Sequence, residues 1–221
     1  MTKAKLFFLV CFTIMCSPAM AASGKKLFKT YEYGTPLSKF SERSGYYDCS
    51  AEVSVEKAMC KNDVAFLDEK FKLILMFENK KLQTVTLQKY FSQDIYVKLV
   101  AALSKDFKLY AMKGKDDSLD LLNLTGNIGS KSDLVALINN FENNNLLKSS
   151  LVYSFIEAST EQTQKYKSIP ELIANLPDSA RSADLAVYEY GNEVNIAVIF
   201  ALPKTIINKF KEQMKSPSEK F

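Results

Sequence analysis

Apolar residues recur along this chain in two rhythms, every second position in some stretches and every third or fourth in others. Phe71, Leu73, Leu75 and Phe77 alternate with Lys72, Met76 and Glu78, the two-residue repeat of a strand with one buried face. Asn79-Lys80 supplies a two-residue turn, and 82–87 returns as the partner strand. Ser92 then caps a helix on which Ile95, Leu99, Leu103 and Phe107 fall at helical spacing. The same order recurs near the C-terminus. Segments 185–190 and 194–201 flank the turn Gly191-Asn192, and a helix over 204–214 follows with Ile206, Ile207, Phe210 and Met214 apolar.

Between and before these units the signals are shorter. Thr35-Pro36 reads as the start of a short helix ended by Gly45, with proline in its permitted first position. Strands are expected over 46–53, 59–67, 107–112 and 151–156. The apolar run Leu119, Leu121, Leu122 and Leu124 is broken by Gly126 and Gly129. Ser130-x-x-Asp133 opens a helix burying Leu134, Leu137, Ile138 and Phe141 and ending near Asn143-Asn-Asn145. Ser168-x-x-Glu171, with Pro170 in the first turn, predicts a capping box for a helix running to Leu176. Adjacent hairpins mean antiparallel pairing. The expected fold is α+β: an antiparallel β-sheet built from hairpins with amphipathic helices packed on it. Hairpin-then-helix occurs at 70–106 and 184–214, within sub-halves of about 30–115 and 150–215. Residue identity between the two is slight, which favours a common structural unit over a duplication.

The N-terminus follows a different pattern. Lys3 and Lys5 precede the apolar run 6–16, and Ser17-Pro18 leads to the small-x-small triplet Ala19-Met20-Ala21. These are the three regions of a secretory leader, 1–21, removed after Ala21. The apolar run is too short for the ~20 residues of a membrane span, and no second long apolar segment follows. The mature chain, 22–221, is expected as a single α+β domain with flexible ends at 22–26 and 216–221, in the periplasm or secreted.

Export changes the cysteine count. Cys11 and Cys16 leave with the leader, so Cys49 and Cys60 remain, an even number in an oxidising compartment. Zinc would need about four nitrogen or sulfur ligands, and the chain has no histidine. A thioredoxin-like pair would be separated by two residues. Cys49 and Cys60 are therefore expected to form a structural disulfide worth ~2–3 kcal/mol. Lys3 and Lys5 also leave, and no acid does, which lowers the formal charge from +4 to +2. With its lysines scattered, the chain has no visible nucleic-acid footprint.

The absence of histidine removes the common triads and the commonest general base near neutral pH. Ser54-Val-Glu-Lys57 matches the S-x-x-K form, which resembles the penicillin-binding proteins. Their accompanying elements are missing: only Ser132-Asp-Leu134 and Lys204-Thr-Ile206 occur, and the match falls inside the disulfide loop. Segment 125–132 lacks the glycines a phosphate loop needs and reads as a turn between helices. Asp116, Asp117 and Asp120 lack the alternation of a calcium loop, and helix capping explains them more simply. Glu69, Glu78, Glu189 and Glu193 are scattered carboxylates that could pair for catalysis only in space. No cofactor or metal site is expected.

Lys204, Lys211 and Lys215 lie near one face of the last helix, opposite Ile207, Phe210 and Met214. Packing of that stripe on the sheet is favoured over a membrane surface. The reading is thus an exported, non-catalytic binding or inhibitor-type protein of the cell envelope whose partner is another envelope or extracellular protein. A small enzyme using Ser54 and Lys57 or a carboxylate pair is the alternative, and a structural part of an envelope or secretion assembly a second one. Candidate contact residues are Tyr46 and Tyr47, beside the disulfide loop, and Tyr188 and Tyr190, at the end of the second hairpin. Intact-mass analysis of the protein from its native host is expected to find a chain beginning at Ala22, within a residue or two. A full-length cytoplasmic chain would remove the basis for export.

Overall fold

The computed structural model of the protein describes residues 25–125 and 130–215. The expected leader, the glycine segment 126–129 and the tail 216–221 lie outside the described residues.

The elements run, in chain order, β1 (Lys26–Phe28), β2 (Tyr31–Glu32), β3 (Tyr47–Asp48), β4 (Ala58–Phe66), β5 (Glu69–Glu78), β6 (Lys81–Tyr90), α1 (Gln93–Asp106), β7 (Lys108–Lys113) and β8 (Ser118–Asp120). Then follow α2 (Leu121–Thr125), α3 (Lys131–Leu146), β9 (Ser150–Ile156), α4 (Thr160–Lys165), α5 (Ile169–Asn175), β10 (Ser182–Tyr190), β11 (Glu193–Ala201) and α6 (Pro203–Lys215). Nine strands form one sheet in the order β3-β4-β5-β6-β11-β10-β9-β7-β8, and β1 pairs with β2. Every pairing is antiparallel. The α+β class and the hairpin-built antiparallel sheet are as the residue pattern predicts.

Alternation explains the core. Leu73 lies opposite Leu87, Leu87 opposite Val198, Val198 opposite Leu185, and Leu185 opposite Tyr153. The row is apolar across five strands on one face. Ile95, Tyr96, Leu99 and Leu103 of α1, Phe141 of α3 and Leu27 and Phe28 of β1 cover it in a single cluster. Burying a Leu, Ile or Phe side chain stabilises by about 1.5–3 kcal/mol, so this face dominates folding. Two polar groups enter it: the Tyr96 hydroxyl donates to Glu142 and meets the Tyr153 hydroxyl. Burial holds both phenols well above the ordinary tyrosine range. Beneath α2, α4 and α5 a smaller cluster gathers Leu122, Ile156, Leu172, Ile173 and Leu176.

Several local expectations need correction. No α-helix starts at Thr35-Pro36. Two 3₁₀ turns, Leu37–Lys39 and Glu42–Ser44, occupy the segment, and Pro36 bridges to Lys81 of β6. The strand expected over 46–53 is reduced to Tyr47–Asp48 because the chain turns at once into the disulfide loop. The hydroxyl of Ser168 makes no cap hydrogen bond. The capping box is instead at Ser159 and Gln162, opening α4. Asp120, rather than Asp116 or Asp117, caps a helix, accepting from the Leu122 and Asn123 amides at the start of α2. Lys26, expected in a flexible end, opens β1. In α6 the expected packed stripe is split. Ile207 packs against the smaller cluster, whereas Ile206 and Phe210 are exposed by 55% and 62%. The two hairpin-helix units agree in order and differ in packing, since α1 joins the large core and Ile207 of α6 the smaller one.

A close approach fixes the β7–β8 turn. Asn145 of α3 is fully buried, its amide nitrogen donating to the Phe141 carbonyl at 3.0 Å. A β-carbon at Gly114 would collide with Asn145 Oδ1 and Asp117 Oδ1. Gly114→Ala is expected to destabilise the protein by about 1–3 kcal/mol, the usual cost of overpacking, read as a lower midpoint in urea. An unchanged midpoint would mean that α3 and the turn are not packed in this way.

Candidate functional site

The second face of the sheet differs from the first. Along β6 it presents Thr86, Gln88 and Tyr90; along β11, Asn195 and Ala197; along β10, Ala186, Tyr188 and Tyr190. Gln88 lies opposite Ala197, Ala197 opposite Ala186, Tyr90 opposite Asn195, and Asn195 opposite Tyr188. Ala186 and Ala197 lie side by side and are buried, and the cavities beside them are lined by larger polar and aromatic residues. No helix of the described residues contributes to the two cavities found there. One of about 420 Å³ is lined by Lys70, Lys72, Gln88, Tyr90, Tyr190 and Asn195 among others. A second, of about 240 Å³, lies against Glu52, Val53, Ser54, Ile74 and Tyr188. Glu52, Gln88 and Tyr190 line both, so the two form one continuous cleft.

The disulfide loop builds one wall. Cys49 and Cys60 are joined, with Cα atoms 5.8 Å apart, and both are buried with Ala58 and Ile74. Inside the loop the Ser50 hydroxyl accepts from the Ala58 amide at 2.9 Å, and the Val53 amide donates to the Cys49 carbonyl at 3.2 Å. Lys57 pairs with Asp48, and Lys72 reaches from β5 to Glu52. The hydrogen bond from Lys57, with those from Ser50, holds the Asp48 carboxyl well below its usual range. A covalent bond, backbone turns and two ion pairs thus hold the wall in place.

Hydrogen bonds tie the polar side chains of the cleft together. Gln88 donates to Asn195 Oδ1 at 3.4 Å, and Asn195 donates onward to the Glu193 carbonyl at 3.3 Å. Tyr90 and Tyr190 are exposed by 63% and 65%. The Glu193 carboxylate beside the Tyr90 hydroxyl raises its pKa, as burial does for Tyr188. Each lysine lining the larger cavity has an acidic partner: Lys70 pairs with Asp63, Lys72 with Glu52 and Lys89 with Glu69. The cleft offers aromatic faces, amide groups and paired charges of both signs.

The sequence-derived candidates separate here. Tyr188 and Tyr190 line the cleft. Tyr46 and Tyr47 point to opposite sides, as strand alternation requires. Tyr46 packs edge-on against Phe40, its hydroxyl 3.1 Å from that of Tyr31 and the Lys61 ammonium 5.1 Å from its ring. Tyr47 donates to Asn62 Oδ1 at 3.2 Å and lies 6.0 Å from the Lys72 ammonium, outside the cleft lining. Ser54 lines the smaller cavity, but no hydrogen bond joins it to Lys57 among the described residues. Of the scattered carboxylates, two meet lysines and Glu193 meets the Tyr90 hydroxyl. Glu69 pairs with Lys89 and Lys98, and Glu78 with Lys209. Among the described residues no three Asp, Glu, Cys or His side chains gather closely enough to hold a metal.

Gln88, Tyr90, Asn195 and Glu52 are cleft residues that the pattern alone did not single out. Ending the β6 strand at Leu87 concealed two of them. Its alternation continues through Gln88 and Tyr90, on the face opposite Val85 and Leu87. Comparisons with protein families, with characterised proteins and with solved structures find no match.

One half-buried acid on the same face lies outside the cleft. Asp184 of β10 faces Ser154 of β9, and its Oδ1 has no hydrogen-bond partner among the described residues. Burial pushes its pKa up, and burial with the nearby Asp184 charge pushes Tyr110 up to about 12. An acid with a raised pKa in the folded state binds its proton more tightly there than in the unfolded chain. Folding stability then falls as pH rises from the unfolded value, ~3.9, through the folded one, and stays lowered above it. Asp184→Asn is expected to raise the melting temperature at pH 7 and to flatten its decline above pH ~4. A lower melting temperature at pH 7 would show that the carboxylate is stabilised by its surroundings.

Proposed function

We propose that this is an exported, non-catalytic binding protein of the cell envelope that captures a protein partner in the cleft on the second face of its sheet. The observation that carries the reading is the convergence of Tyr90, Tyr188 and Tyr190 on one cleft beside a covalently held wall. Tyrosine supplies large contact area with a polar tip and few rotatable bonds. A site ordered before binding loses less entropy when the partner arrives. The Gln88 amide can exchange its hydrogen bond to the buried Asn195 for one to a partner backbone, and the paired lysines and acids favour a partner without a strong net charge.

Support for export comes from the formed disulfide, the leader-like pattern of residues 1–21 and the absence, among the described residues, of any helix long and apolar enough to cross a membrane. A periplasmic or secreted location follows from that reading. The enzyme alternative rests on Ser54 at the edge of the smaller cavity, and it is weakened because the amine that should activate the serine is directed to Asp48.

The test is capture of the partner from native envelope extract on the immobilised protein, with identification by mass and then measurement of its affinity. Tyr190→Ala and Tyr90→Ala are each expected to weaken binding by about 2 kcal/mol, as central aromatic anchors do, with melting temperatures within a few degrees of the parent. Tyr46→Ala should instead lower the melting temperature, because its ring is part of the packing around Phe40. Full binding by both cleft variants would place the contact surface elsewhere. Labelling of Ser54 by a β-lactam or fluorophosphonate probe, lost in Lys57→Ala, would replace the binding reading with a catalytic one.

A further inference from the structure

A separate cavity opens on the other side of the sheet, where the C-terminal half of α1 meets β1, the β4–β5 turn and the end of β11. Its volume is about 370 Å³, within the range of small-molecule sites. Phe28 is its centre, stacked on Phe200 at 5.0 Å and edge-on to Phe66 at 5.2 Å. Phe107 lies 6.3 Å from Phe200, and Leu103 completes an apolar interior. These walls come from β1, β4, β11 and α1, so the cavity is framed by four elements of the core and is not a gap beneath one loop.

The mouth is charged, and its charges are unequally matched. Arg181 lies 5.1 Å over the Phe107 ring, and its guanidinium donates to both Glu157 oxygens, at 3.0 and 2.7 Å. That pair is neutral and serves as wall. The Lys29 ammonium sits 5.3 and 5.6 Å from the Phe28 and Phe66 rings. Among the described residues it donates one hydrogen bond, to the Ala65 carbonyl at 2.8 Å, which leaves two of its three N–H groups for a ligand. Lys105 lines the mouth from the last turn of α1. Neither lysine has a carboxylate partner among the described residues, and Asp106 is the single acid set against them. One positive charge is left over at the entrance of an aromatic cavity.

We propose that this cavity binds a single-chain amphiphile with a carboxylate head, a fatty acid in its simplest form, with the alkyl chain against the lining of Phe28, Phe66, Leu67 and Ala102 and the head on Lys29 and Lys105. A polar ligand would leave its hydrogen-bonding groups unmet against these rings. A cationic amphiphile would meet two lysines at the mouth. The proposal does not depend on the cleft of the opposite face.

The test uses the mature protein and displacement of a fluorescent fatty-acid analogue. Its emission is read without interference from tryptophan, which the chain lacks. Dodecanoate is expected to displace the probe at a single saturable site, and dodecyltrimethylammonium at least tenfold less well. The double variant Lys29→Glu/Lys105→Glu should reverse that order with a melting temperature within a few degrees of the parent, and Ala102→Phe, which fills the lining, should abolish binding of both. Co-sedimentation with vesicles of anionic phospholipid should leave the protein in the supernatant. Equal binding of the two amphiphiles, absence of saturable binding, or pelleting with vesicles that survives Ala102→Phe would each overturn the proposal.

Discussion

The pairing of β6 with β11 is the contact on which the rest of the structure depends. It runs in register from Val85 and Phe200 to Tyr90 and Asn195, joining two parts of the chain more than a hundred residues apart. The loop-closure entropy of so long a separation grows only slowly with length. It is met by burial, because each step of the seam places Val85, Leu87, Ile196, Val198 or Phe200 into the core. Once this seam forms, the strands on either side belong to a single nine-stranded sheet with one continuous apolar face. The same register fixes what happens on the reverse side. A residue-by-residue ladder that buries Leu87 beside Val198 must also set Gln88 beside Ala197 and Tyr90 beside Asn195.

The two faces consequently carry different chemistry at their open places. On the face that α1 and α3 cover, an apolar cavity is lined by Phe28, Phe66, Phe107 and Phe200, where the sheet, β1 and α1 diverge. On the reverse face Gln88, Tyr90, Tyr188 and Tyr190 line the cleft, whereas Ile156, on the same face, is covered by Leu122 of α2 and Leu172 of α5. A helix packed over the cleft would have to desolvate Gln88 and the paired lysines and acids, which costs free energy unless every group finds a new partner. Composition at a few positions thus keeps this part of the sheet open.

The disulfide has a local role. The Cys49–Cys60 bond spans a short loop, and its entropic contribution to global stability is correspondingly modest. Its position is more informative. Cys60 is in β4 and Cys49 directly after β3, so the bond pins the loop to the second face, where Lys72 and Glu52 tie it down again. The loop ends up as a wall of the cleft in a fixed position.

Much of this was legible in the residues. The period-two alternation of 71–77, the Asn79-Lys80 and Gly191-Asn192 turns, the Ser92 and Ser130 caps and the pairing of the last two cysteines each depend on neighbours close in sequence, where spacing decides the geometry. The misplaced expectations were also local, but had weak competitors. Pro36 could open a helix or bridge to another strand, and Ser159 and Ser168 both precede short helices, with only Gln162 placed to return the cap hydrogen bond. Of the four candidate tyrosines, Tyr188 and Tyr190 could be assigned to one face by alternation. That Tyr90 and Asn195 join them, that Glu52 closes the other side and that Tyr47 falls outside are results of strand order. Alternation says which side chains share a face of one strand. Which strands lie side by side is settled only when distant apolar rows are buried together.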